Sequence, residues 1–189
     1  MKRPHDALRL DIAAFIADGV ALAGAWAGAS LGRLAGLQTP PQDTALADVA
    51  WQAQGALQPV AGGQSELWLV LHTQAGVWLT CQRCLQPFKL PLLLDRRIRF
   101  VRGEAEAEAL DAELDDDVLA TSRSFDLRGL VEDELLLALP IVPRHADVCP
   151  QPLPLPAGDL AQPADLPMPA NPFVVLQGLK TAKPGSEPG

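Results

Sequence analysis

The chain has 189 residues, with 23 acidic side chains against 15 basic ones and a formal net charge of -8. That length suits one domain with appendages, and a domain of ~150 residues buries ~70% of the surface its unfolded chain exposes. Three cysteines in a chain of this size argue against a secreted disulfide scaffold and for a reducing, cytoplasmic setting.

From the N-terminus, Leu8 to Ile12 alternates apolar with polar and predicts a first strand, and Val20 to Trp26 a second. A short helix is expected from Ser30. Asp6, Asp11 and Asp18 interrupt any apolar leader, and the uncharged run Gly19 to Gly32 is too short and too Gly-rich to span a bilayer. Neither export nor a membrane segment is expected. The Pro40-Pro41 pair marks a loop between Gln38 and Thr44. Val49 to Leu57 alternates at period two, and Glu66 to His72 and Val77 to Thr80 predict two more strands joined by a turn at Gln74-Ala75-Gly76. Phe88 to Leu94 and Arg96 to Val101 continue the meander, with Arg97 and Arg99 on one face and Ile98 and Phe100 on the other.

Eight acids and no base fall between Glu104 and Asp117, so the rest of the chain carries 15 acids and 15 bases. The segment 104-117 reads as a solvated acidic loop. Just before it, Arg83, Lys89, Arg96, Arg97, Arg99 and Arg102 face the single acid Asp95. This surplus suits phosphate, with the ordinary charged face of a strand as its alternative. The clearest helix lies near 126-139, capped by Asp126, with Leu127, Leu130, Val131, Leu135 and Ala138 at helical spacing and Pro140 as its stop. Its Glu132, Asp133 and Glu134 point in different directions, as solvated charges or as salt bridges to the arginine strand. Residues 150-170 form a Pro-rich linker, since eight of the 23 residues from Pro150 to Pro172 are proline. A short docking helix at 171-180 follows, with Phe173, Val174, Leu176 and Leu179 as its partner-docking residues, and 181-189 is expected to be a disordered tail.

The cysteines carry the most specific chemistry. Cys81 and Cys84 form a C-x-x-C pair, and His145 and Cys149 lie about sixty residues on, accounting for every cysteine in the chain. Three thiolates and one imidazole are a ligand set that structural zinc favours, and a site filled by four protein ligands leaves no position for a reacting water. Two alternatives stand beside it. One is a Cys81-Cys84 disulfide; the other is three free thiols. Thiol redox chemistry is disfavoured because Pro87 and Pro91 forbid the helix that would lower a thiol pKa.

Three stretches then carry a resemblance. They are C-x-R-C-L-x-P-F at Cys81 to Phe88, D-L-x-x-L-V-E-D-E-L-L-L-A-L-P at Asp126 to Pro140 followed by V-P-x-H, and N-P-F-x-V-L-x-x-L-K at Asn171 to Lys180. In this order they resemble the YceD family, also called DUF177 or large ribosomal RNA subunit accumulation proteins, over most of the chain from Trp51 onward. In one branch of that family a second C-x-x-C knuckle follows the long helix; here His145 and Cys149 hold that place. The resemblance implies a non-enzymatic factor in synthesis, processing or stability of 23S ribosomal RNA, with ribosomal RNA or pre-50S particles and ribosomal or rRNA-processing proteins as partners.

The expectation is therefore an α+β protein, mostly antiparallel β as a meander or partly open barrel, in one β-rich domain spanning 1-149. One structural zinc is expected at Cys81, Cys84, His145 and Cys149. RNA-binding residues are expected at Arg83, Arg96, Arg97 and Arg99. The alternative is a protein-interaction adaptor with the zinc knuckle and no RNA contact.

Overall fold

The computed structural model describes residues 5-150. The chain begins with helix α1 (Ile12–Asp18), strand β1 (Ala21–Trp26), a 3-10 turn (Gly28–Ser30) and helix α2 (Gly32–Leu37). Strands β2 (Val49–Gln58), β3 (Glu66–Thr80) and β4 (Pro87–Val101) follow, then helix α3 (Glu104–Asp111), strand β5 (Asp117–Ala120) and helix α4 (Leu127–Leu137). The strands form one open sheet in the order β1-β2-β3-β4-β5. Consecutive strands β1 to β4 pair antiparallel, and β5 joins β4 in parallel. The mostly antiparallel α+β architecture and the principal helix near 126-139 are both observed.

Alternation sets the two faces of the sheet. Leu69, Leu71, Ala75, Val77 and Leu79 of β3 and Leu92, Ile98 and Phe100 of β4 point to one side. There they pack with Phe15 and Ile16 of α1, Leu34 of α2 and Leu127, Val131 and Leu135 of α4. Fully burying each such side chain contributes about 1.5 to 3 kcal/mol. Helix α3 lies at the β5 end of the other side, where Ala107 packs on Val101 and Val118.

Three expectations are corrected. Leu8 to Ile12 is not a strand: Leu10 makes a single bridge to Phe125, and Asp11 caps α1 by accepting from Ala14 N at 3.1 Å. A capping carboxylate followed by the buried triplet Ile12, Phe15 and Ile16 outweighs five residues of alternation. The turn at Gln74-Ala75-Gly76 is also absent, because β3 runs unbroken for 15 residues and pairs with an equally long β4. Opposite Gly76 stands Pro91, where β4 has no neighbour on its outer side, since β5 pairs only with Ile98 to Val101. A proline is tolerated at such an unpaired edge. Finally, 104-117 is not one loop: its first half winds into α3, which buries Ala107, and Asp117 opens β5.

Glu132 joins the N-terminal segment to the core. Leu31 offers α2 no side-chain cap, so Glu132 Oε1, reaching over from α4, accepts from Arg33 N at 2.7 Å and Leu34 N at 3.1 Å. Its Oε2 accepts from Arg33 Nε and Nη2, each at 3.1 Å. A carboxylate from another element thus satisfies the helix's unbonded amides and its positive end.

Candidate metal centre

Strand β3 delivers Cys81 to the end of the sheet, and the chain reverses before β4. The turn closes through Cys81 N donating to Gln86 O at 3.0 Å and Leu85 N donating to Cys81 O at 2.9 Å. Leu85 takes a left-handed backbone with φ 58°, a strained conformation for a side chain of its size. Arg83 N donates to Cys81 Sγ at 3.4 Å. The second half arrives on the segment after α4, and Gln82 N donating to Pro143 O at 2.9 Å ties it to the turn.

Four ligand atoms, from Cys81, Cys84, His145 and Cys149, all lie within 4.8 Å of one another. Cys81 Sγ and Cys149 Sγ are 3.8 Å apart, and Cys84 Sγ is 3.6 Å from His145 Nδ1. Zinc-sulfur bonds of ~2.3 Å at tetrahedral angles put sulfurs about 3.8 Å apart. A disulfide would need about 2.05 Å, and the three cysteines are free thiols. The quartet is positioned to bind a metal ion.

Burial pushes the Cys81 thiol up, yet backbone hydrogen bonds from His145, Arg83 and Cys84, with the His145 side chain, outweigh it and bring the thiol down to about 5. A ready thiolate is what a metal ligand requires. Burial pushes Cys149 the other way, to about 11, aided by hydrogen bonds with Cys84 and Cys81 and by their charge. One thiolate is easily formed here, and a second beside it is opposed until a cation is shared. The imidazole of His145 is steadied by the Phe88 ring, with centroids 4.9 Å apart. Asp147 contributes its backbone carbonyl, which accepts from Arg83 Nη1 at 3.4 Å.

The four arginines are not brought together. Arg83 sits in the knuckle. Arg97 lies over the Trp68 ring, 4.6 Å from its centroid, and donates to Gln58 at 3.2 Å. Arg99, on the same face, pairs with Glu66 at 3.0 Å. Arg96 points to the helix-covered side and donates to Glu134 Oε2 of α4 at 2.7 Å. Strand alternation alone separates Arg96 from Arg97 and Arg99. Phe173, Val174, Leu176 and Leu179, the 150-170 linker apart from Pro150, and the 181-189 tail lie outside the described residues.

A family model described as large ribosomal RNA subunit accumulation protein YceD matches residues 69–180. The chain belongs to the YceD family. The matched stretch holds all four metal-site residues, the arginine strand and α4, while α1, α2, β1 and β2 precede it. A Haemophilus influenzae protein named large ribosomal RNA subunit accumulation protein YceD is 35% identical over 107 residues, or 57% of this chain and 62% of that protein. The aligned part therefore spans less than two thirds of that YceD relative. No solved structure matches.

Proposed function

We propose that this chain is a non-enzymatic factor that supports the accumulation of large-subunit ribosomal RNA in the cytoplasm, with a structural zinc ion held by Cys81, Cys84, His145 and Cys149. The YceD match over residues 69–180 carries this reading. The quartet supports it, because four protein ligands fill a tetrahedral ion and leave no position for a reacting water. Zinc bound there would supply a structural clamp, holding the segment after α4 to the β3-β4 turn.

The test combines sedimentation with depletion. Cell extract run through a gradient should show the protein with large-subunit precursors, and depletion should lower 23S relative to 16S rRNA. Migration only as free protein, with an unchanged RNA ratio, would overturn the proposal. Nuclease treatment before a pull-down separates direct RNA contact, for which Arg83, Arg97 and Arg99 remain candidates while Arg96 is held by Glu134, from the adaptor alternative, whose ribosomal or rRNA-processing protein partners would survive digestion.

A further inference from the structure

Helices α1, α2 and α4 all pack on one face of the sheet, and α3 reaches only the β5 end of the other. Between β1 and β4 that second face is therefore open among the described residues. Gln52, His72 and Asp95 stand in one row across β2, β3 and β4, and Ala50, Gln74 and Leu93 in the next. Together they surround a 400 Å³ hollow. Leu93 is 74% exposed near the middle of a 15-residue strand, and the side-chain amides of Gln52 and Gln74 make no hydrogen bond among the described residues. Each amide offers both donors and an acceptor. The two acids carried by β1 to β4 are already answered: Asp95 bonds to His72 and Glu66 pairs with Arg99. Lys89 and Arg97, on the same face, have no carboxylate partner among the described residues. They flank the hollow along β4, four residues to either side of Leu93, or about 13 Å each way. Arg97 is fixed over the Trp68 ring, 4.6 Å from its centroid.

We propose, resting on the rRNA reading above, that this open face binds a single-stranded segment of ribosomal RNA, with unpaired bases entering the hollow against Leu93, Gln52 and Gln74 and phosphates meeting Lys89 and Arg97. Single strands expose base edges that side-chain amides can bond, and an open sheet is a surface on which such bases lie while cations track the backbone. A duplex does not fit, because stacked and paired bases cannot enter the hollow. A protein partner fits poorly: such interfaces are anchored at their centre by large buried side chains, and Leu93 is the one large exposed hydrophobic side chain on this face. Charge points the same way. A chain of net charge -8 repels phosphate over much of its surface, whereas this face carries two unanswered cations and no unanswered acid.

The experiment is a fluorescence-anisotropy titration of a labelled single-stranded RNA dodecamer of mixed sequence with the full-length protein, repeated across a salt series. Lys89→Gln together with Arg97→Gln should weaken binding about tenfold and lower the slope of log affinity against log salt by about 1.4, since each phosphate contact on a single strand contributes about 0.7. Lys89→Gln alone, with half that slope change, serves should loss of Arg97 from Trp68 perturb folding. Leu93→Ser should weaken binding about threefold with the slope unchanged, because it removes a base contact and no charge. Arg123→Gln removes an exposed charge beside α1 on the covered side, and should change affinity by less than about twofold. The idea fails if the dodecamer does not bind, if the same RNA binds as tightly as a duplex, if Leu93→Ser has no effect, or if Arg123→Gln weakens binding as much as the double variant. Sedimentation with precursors but no dodecamer binding would overturn this assignment and leave the accumulation reading standing; dodecamer binding with no sedimentation and an unchanged RNA ratio would overturn that reading instead.

Discussion

The carboxylate of Glu132 accepts from two backbone amides and from one guanidinium, and it lies mostly buried. Burial pushes its pKa up, but the Leu34 amide, the Arg33 side chain and the Arg33 amide outweigh that and hold it below the ordinary 4.5. A group depressed on folding contributes stability that is complete above the unfolded value and fades as pH falls through the folded one. Glu132→Gln should therefore cost about 3 kcal/mol at pH 7 in urea unfolding, and the gap to the parent protein should close below about pH 4. A gap of constant size down to pH 3 would show that the charge is not what matters. At the metal centre, Cys149→Ser should abolish stoichiometric zinc, measured by elemental analysis. It should lower stability by about 3 kcal/mol, or about 6 to 12 °C in Tm for a chain of this length. Neither residue's role rests on its neighbours in sequence.

Among the elements, α1 sits directly on β2 because Gly55 makes room for it. A Cβ added there would lie 2.5 Å from Ile16 Cα and 2.9 Å from Phe15 O, both backbone atoms that cannot turn aside. Gly55→Ala should cost about 3 kcal/mol or undock α1, seen as a lower urea midpoint and as faster amide exchange in residues 12-18. Strand β2 and helix α4 were legible in the sequence, because each carries its own period and, for α4, its own cap at Asp126, which accepts from Arg128 N and Gly129 N; β1 matches the strand expected at Val20 to Trp26, though its run of Ala and Gly carries no alternation. Helix α3 was not legible. Glu104–Asp111 alternates glutamate with alanine, both good helix formers, but the density of acids reads as a solvated loop, and the seat of Ala107 on Val101 and Val118 exists only once β4 and β5 are paired. The continuity of β3 through Gly76 was hidden for a similar reason: a glycine reads as a turn until the partner strand is known.

At the scale of the molecule, residues 141-149 lack regular structure and are held by the Gln82–Pro143 hydrogen bond and by the quartet itself. Removing metal with a chelator should free this segment while the sheet remains intact. Limited trypsin digestion would then cut after Arg144 at least about tenfold faster than in the metal-loaded protein, with cleavage after Arg97 and Arg99 unchanged. Equal rates with and without chelator would mean that metal does not hold the segment.

The ligand types, their spacing and the family motifs could all be read along the chain, because a C-x-x-C turn and a helix cap are short-range chemistry that a few consecutive residues specify. The pairing of charges was legible only in outline: salt bridges from α4 to the arginine strand were one of two readings, and Arg96–Glu134 is such a bridge, but the specific partners were not readable. Glu132 meets Arg33 across 99 residues and Arg96 meets Glu134 across 38, and which acid each arginine meets depends on the sheet's register and on the helices laid against it. Folding is what seats a carboxylate at the start of α2 and sets Glu134 against Arg96, since long-range contacts depend on how the whole chain buries its apolar faces.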